Sequence, residues 1–163
     1  MDPMHRIRTF GVALFLLGLT AAPARADITA FIGANTTPAN RQARGVALGF
    51  GVLIVGVEGE YSSTTDDLVA NAPSLKTGMG NLVLQTPVAF FGVQPYFTTG
   101  AGIYREVLGL HEDTGFGFNT GGGAKISLIG PLRLRLDYRV FKLGSDALNS
   151  TAHRFYAGLN LKF

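Results

Sequence analysis

The stretch 131–140, PLRLRLDYRV, constrains this chain more than any other. Charge falls on Arg133, Arg135, Asp137 and Arg139, while Leu132, Leu134, Leu136, Tyr138 and Val140 are apolar. A period of two sets the two groups on opposite faces of a strand. Two arrangements accept such a strand. In a soluble sandwich the apolar face meets a core and the charges meet water. In a transmembrane barrel the apolar face meets lipid and the charges meet the lumen. The period is the same in both, so the rest of the chain must decide.

The start reads as an export signal. Arg6 and Arg8 give a positive n-region, and residues 10–19, FGVALFLLGL, form a ten-residue apolar run. That run is shorter than the roughly 20 residues of a membrane helix. Ala24-Arg25-Ala26 is an A-x-A cleavage motif, so the expected mature chain starts at Asp27. The expected organisation is a signal peptide over 1–26 and one domain over 27–163. Of 14 Lys+Arg and 11 Asp+Glu, the mature part keeps 11 and 10, a net charge of +1. This balance, with no base-reading motif, argues against nucleic-acid binding. The chain has no cysteine, which removes disulfides, thiolate catalysis and thiolate metal ligands.

No later segment reads as a membrane helix. Residues 77–104 carry no charge, yet Pro87, Pro95 and five glycines interrupt them. Proline costs about 3 kcal/mol inside a helix and glycine about 1. Eight strands fit instead: 27–35, 44–51, 54–61, 78–86, 93–104, 116–128, 132–143 and 153–163. Their connections differ in character. VL (52–53), PVAFFG (87–92) and IGP (129–131) are short and apolar. TTPANRQA (36–43), residues 62–77, REVLGLHEDTG (105–115) and GSDALNSTA (144–152) are longer and polar. Short turns on one rim and long loops on the other are the rule for outer-membrane barrels.

The non-lipid face gives a second discriminator. Gly45, Ala47, Gly49, Gly56, Gly100, Gly102, Gly117, Gly121, Gly123 and Gly158 fall on it. Glycine weakens a strand and gains nothing against water. A crowded interior needs it, because an eight-stranded barrel is just wide enough to be filled by side chains. The charges of 131–140 are therefore expected in the lumen, since arginine facing lipid at midplane costs about 2–4 kcal/mol. There Arg133, Arg135 and Arg139 are expected to meet Glu58, Glu60 and Asp137, with Lys125 nearby. Buried charges persist only when paired. The fold expected is an all-β, eight-stranded, antiparallel up-and-down transmembrane barrel.

Several stretches carry a resemblance. GMGNLVLQTP followed by VQPYFTTGAGIYRE resembles the central hairpin of the small outer-membrane β-barrel domain family, which includes OmpA-type barrels and OmpX-like surface proteins. GFGFNTGGGAKISLIGPLRLRLDYRVFKL is similar to the next hairpin. The ending YAGLNLKF places Gly158, Leu161 and Phe163 like the family's assembly signal, which implies recognition by the barrel-assembly machinery. The resemblance further implies a bacterial outer-membrane location. The expected protein is a monomer in contact with outer-membrane lipid and lipopolysaccharide, its loops open to an unidentified ligand. No sequence remains for a peptidoglycan-binding domain, so the one-domain form is expected.

Chemistry is sparse. TGGGAK (120–125) lacks the phosphate-loop pattern, because Ala124 separates Gly123 from Lys125. A hydrolase needs a nucleophile, a histidine and a carboxylate. His153 with Ser150 or Ser145 and Asp146 supplies the types, and His111 with Glu112 and Asp113 forms a weaker set for catalysis or metal. The lipid A deacylases keep histidine and serine two apart on a strand, and this chain has no H-x-S. No enzyme, cofactor or metal is expected. A structural or surface-interaction protein leads, with a narrow channel second and a lipid A-modifying enzyme third.

Overall fold

The structure, a computed structural model, describes residues 24–163. Of the expected signal peptide over 1–26, residues 1–23 lie outside them. Eight strands follow in order: β1 Ala24–Asn35, β2 Arg41–Val52, β3 Val55–Thr64, β4 Ser74–Gln85, β5 Val93–Leu108, β6 His111–Ser127, β7 Leu132–Lys142 and β8 Thr151–Lys162. Each is antiparallel to the next, and β1 pairs with β8 from Asp27↔Lys162 to Asn35↔Arg154, closing the barrel. Closure leaves no unpaired strand edge, which is what makes a sheet viable in lipid.

The two faces are inside out relative to a soluble protein. Ile32, Leu48, Phe50, Val57, Phe97, Ile103, Phe118, Phe155 and Leu159 are exposed on the outer wall. Glu58, Glu60, Arg135, Asp137, Arg139 and Arg154 are buried inside. All ten small residues assigned to the non-lipid face point inward on their strands. Two of them show the crowding directly. A methyl group at Gly121 would strike the backbone carbonyl of Tyr138, and one at Gly123 the carbonyl of Leu136.

Two expectations need correction. Residues 105–115 are not a loop. The β5–β6 ladder continues to Leu108↔His111 and turns at Gly109-Leu110. Gly109 adopts φ +60°, as the first central position of a tight two-residue hairpin demands. The physical reason is alternation: Arg105, Val107, Glu112 and Thr114 share the outward phase, so the hairpin continues beyond the apolar outer wall without breaking its period. The other three connections on this rim shorten to 36–40, 65–73 and 143–150, because their flanks extend the strands. On the opposite rim the connections are 53–54, 86–92 and 128–131. The stretch 86–92 is longer than 36–40, so loop length separates the rims less cleanly than polarity does.

Candidate functional site: a charged lumen

The central ion-pair network of the lumen is built mainly from β3, β7 and β8. In a ring of eight strands, β3 and β7 lie four apart in either direction and so face each other across the bore. Glu58 and Glu60 on β3 therefore meet the alternating charges of β7. Arg135 holds Glu58 by two hydrogen bonds, the longer at 3.2 Å. Arg139 Nη2 donates to Glu58 Oε1 at 2.9 Å, and its Nε donates to Asp137 Oδ1 at 3.0 Å. Arg139 Nη1 lies 3.1 Å from Glu60 Oε2, an ion-pair contact out of hydrogen-bond alignment. Arg154 of β8 donates to Glu60 Oε1 at 2.5 Å and to Ser62 Oγ at 2.7 Å. Tyr96 of β5 donates to Asp137 and accepts from Arg135 Nε at 2.8 Å.

A second cluster sits toward the rim that holds the termini. Asp27 Oδ2 receives Lys125 Nζ at 2.7 Å and Arg133 Nη2 at 3.1 Å. Arg133 also donates to Asn160 at 2.7 Å and to Gln94 at 3.1 Å. Here the pairing differs from expectation. Arg133 meets Asp27 rather than Glu58 or Glu60, because it sits one step nearer this rim than Arg135. The remaining expected members, Glu58, Glu60, Arg135, Asp137 and Arg139, form one continuous network with Lys125 at its margin.

Five cations thus face four carboxylates: Lys125, Arg133, Arg135, Arg139 and Arg154 against Asp27, Glu58, Glu60 and Asp137. Aromatic faces take up the surplus. Arg135 lies 4.7 Å from the Tyr96 ring centroid, and Arg154 lies 4.8 Å from Phe141 and 5.1 Å from Phe31. Cation–π contact of this kind is strongest when desolvated. Toward the loop rim Leu75, Met79, Tyr104, Phe141, Leu143 and Ala152 pack together as an apolar cluster, and Asn35, Arg41, Thr64 and Glu106 are also buried at that end.

Sequence reasoning missed three contributors. Asp27 was read only as a cleavage-site residue, and Arg154 and Asn160 were not assigned. Their signal was parity: both share the phase of Tyr156 and Gly158, opposite to Phe155, Leu159 and Leu161. The apolar cluster was missed as well, although Phe141 and Leu143 continue the inward phase of Arg139.

The candidate catalytic sets are not assembled. His153 Nδ1 lies 2.8 Å from the Tyr138 hydroxyl, on the outer wall. No hydrogen bond joins His153 to Ser145, Ser150 or Asp146 among the described residues. His111, Glu112 and Asp113 alternate along β6. Glu112 pairs outward with Arg105 at 2.8 Å, and Asp113 accepts from the Tyr104 hydroxyl at 2.6 Å. Among the described residues no three His, Asp or Glu side chains are grouped to hold a metal.

Comparison with solved structures places this geometry in a class. The fold is that of the small eight-stranded barrels of the bacterial outer membrane. Neisserial surface protein A matches with a TM-score of 0.64 at 15% identity, over 86% of this chain and 96% of that one. The N-terminal β-barrel domain of Pseudomonas aeruginosa OprF matches with a TM-score of 0.64 at 14% identity, over 85% and 97%. The outer membrane enzyme PagL matches with a TM-score of 0.54 at 13% identity, over 83% and 98%. No family profile matches the sequence, and no curated protein matches it.

Proposed function

We propose that this protein is a bacterial outer-membrane barrel with a structural or surface-interaction role and a lumen closed to solutes. The observation that carries this reading is the buried network itself. Arg135 and Arg139 are fully buried and cross the bore to the glutamates of β3. An eight-stranded barrel leaves no room for a water column beside such a plug. The termini and apolar turns face the periplasm. The loops 36–40, 65–73 and 143–150, with the β5–β6 hairpin tip, face outward and form the surface that a ligand would meet. Exposed Leu68, Val69 and Leu110 lie on that surface.

A narrow channel is the second reading, and a filled lumen disfavours it. A lipid A-modifying enzyme is the third. The likeness to PagL supports it at the level of fold, while the engagement of His153 by Tyr138 opposes it. The refolded barrel, placed in planar lipid bilayers, is expected to give no discrete conductance steps. Reproducible single-channel steps would overturn the closed-lumen reading. Mass spectrometry of lipid A from expressing cells is expected to show unchanged acylation, and loss or gain of an acyl chain would favour the enzyme.

A further inference from the structure

The outer wall changes character along one register row. Val46, Tyr61, Gly78 and Ile103 are cross-strand partners facing outward on β2 to β5. The next outward row toward the loop rim is Arg44, Ser63, Lys76 and Arg105, again direct partners. So the apolar band ends at a line of three cations and a hydroxyl, with no carboxylate in the row. Arg105 is neutralised by Glu112. Arg44 and Lys76 have no ion pair or side-chain hydrogen bond among the described residues. Asp67 of the adjoining loop accepts the amides of Val69 and Ala70 at Oδ1 and makes no ion pair with either cation.

Strands in a sheet are about 4.8 Å apart, so Arg44 and Lys76, two strands apart, stand about 10 Å from each other across Ser63. Long side chains at that spacing converge on one anion over the serine hydroxyl. Beneath Arg44 an outward groove runs over Ala30 and Ala157, between Ile32, Val46, Tyr61 and Leu159. Small residues on β1 and β8 make its floor, and larger ones make its walls.

We infer that this is a lipid site: Arg44, Ser63 and Lys76 bind a phosphate of a phosphorylated, multiply acylated sugar lipid of the outer leaflet, and the groove takes one of its acyl chains. Charge complementarity selects the head, and the adjoining apolar groove selects a ligand with head and chain together. The inference rests on the outer-membrane orientation proposed above and is independent of the lumen's closure, so a conducting barrel would leave it intact.

The test uses the full barrel refolded in zwitterionic detergent and titrated with fluorescent bisphosphorylated lipid A. Saturable binding is expected, weakened at least tenfold in the double variant Arg44→Gln/Lys76→Gln. Both side chains face outward, and heat-modifiable gel mobility verifies that the variant is folded. Lys142→Gln, on the outer wall of β7, is expected to bind as wild type. Lipid A stripped of its phosphates, and phosphatidylglycerol, are expected to compete at least tenfold less well than the bisphosphorylated form. Wild-type affinity in the double variant, or undiminished binding after phosphate removal, overturns the site. Equal competition by phosphatidylglycerol overturns its selectivity for the sugar lipid.

Discussion

At the scale of the residue, Glu58 ties β3 to β7 across the bore. It accepts from both Arg135 and Arg139, and Asn81 approaches it at 3.5 Å. Removing one partner of a buried pair strands the other, which costs on the order of 3–5 kcal/mol. Glu58→Ala leaves two arginines short of charge, with only Asp137 and Glu60 remaining. Urea unfolding in detergent is expected to show a loss of that size. Wild-type stability would mean that water reaches the guanidinium groups, which contradicts the plug. Glu60→Ala is expected to behave alike, because it frees Arg154 and relaxes Arg139. These residues were legible in the sequence as a phase rather than as pairs. Period two on 131–140 shows which side chains share a face, but pairing across the bore depends on strand stagger. That is why Arg133 was matched with the wrong carboxylate and Asp27 was not matched at all.

At the scale of the element, the closing strand β8 has two separable roles. Its inward phase supplies Arg154, Tyr156 and Asn160 to the lumen. Its outward phase, Phe155, Leu159, Leu161 and then Phe163, is exposed on the apolar outer wall. Phe163 exchanges two backbone hydrogen bonds with Ala26 and is largely exposed. Full burial of a phenylalanine side chain contributes about 1.5–3 kcal/mol, and an exposed one contributes less. Deleting Phe163 is therefore expected to spare unassisted refolding into detergent. In cells the resemblance of YAGLNLKF to an assembly signal implies a larger effect, with unfolded protein accumulating in the periplasm. Heat-modifiable gel mobility in both settings makes the comparison, and normal insertion of the truncated chain in cells would reduce β8 to a plain closing strand. Strand number and order were legible from alternation and turn residues. The reach of β5 and β6 was not, because polar residues in an alternating phase look like a loop when no neighbour is visible. The ladder to Leu108↔His111 shows that they hold a strand beyond the apolar outer wall.

At the scale of the whole molecule, maturation and closure meet at one seam. β1 and β8 carry both ends of the domain, and β1 begins at Ala24, inside the expected cleavage motif. Cleavage after Ala26 removes the partner of Phe163 and with it the last two backbone hydrogen bonds of the seam. It spares the ladder from Asp27↔Lys162 onward and the Asp27 carboxylate that holds Lys125 and Arg133. It also removes Arg25, whose cationic side chain stands in the same rim cavity as Arg133 and Lys162. The pairs Ala24↔Val52, Arg25↔Gly51 and Ala26↔Phe50 with β2 go too, so the loss is a few strand-end hydrogen bonds at about 0.5–1.5 kcal/mol each. Relief of like charge offsets part of it. N-terminal sequencing of protein extracted from membranes is thus expected to read Asp-Ile-Thr-Ala-Phe. A chain that begins at Arg25 would keep the Ala26–Phe163 pair and move the cleavage to the preceding Ala22-Pro23-Ala24. A chain that retains residues 1–26 would overturn the cleaved-signal reading, and with it much of the sequence-based argument for location.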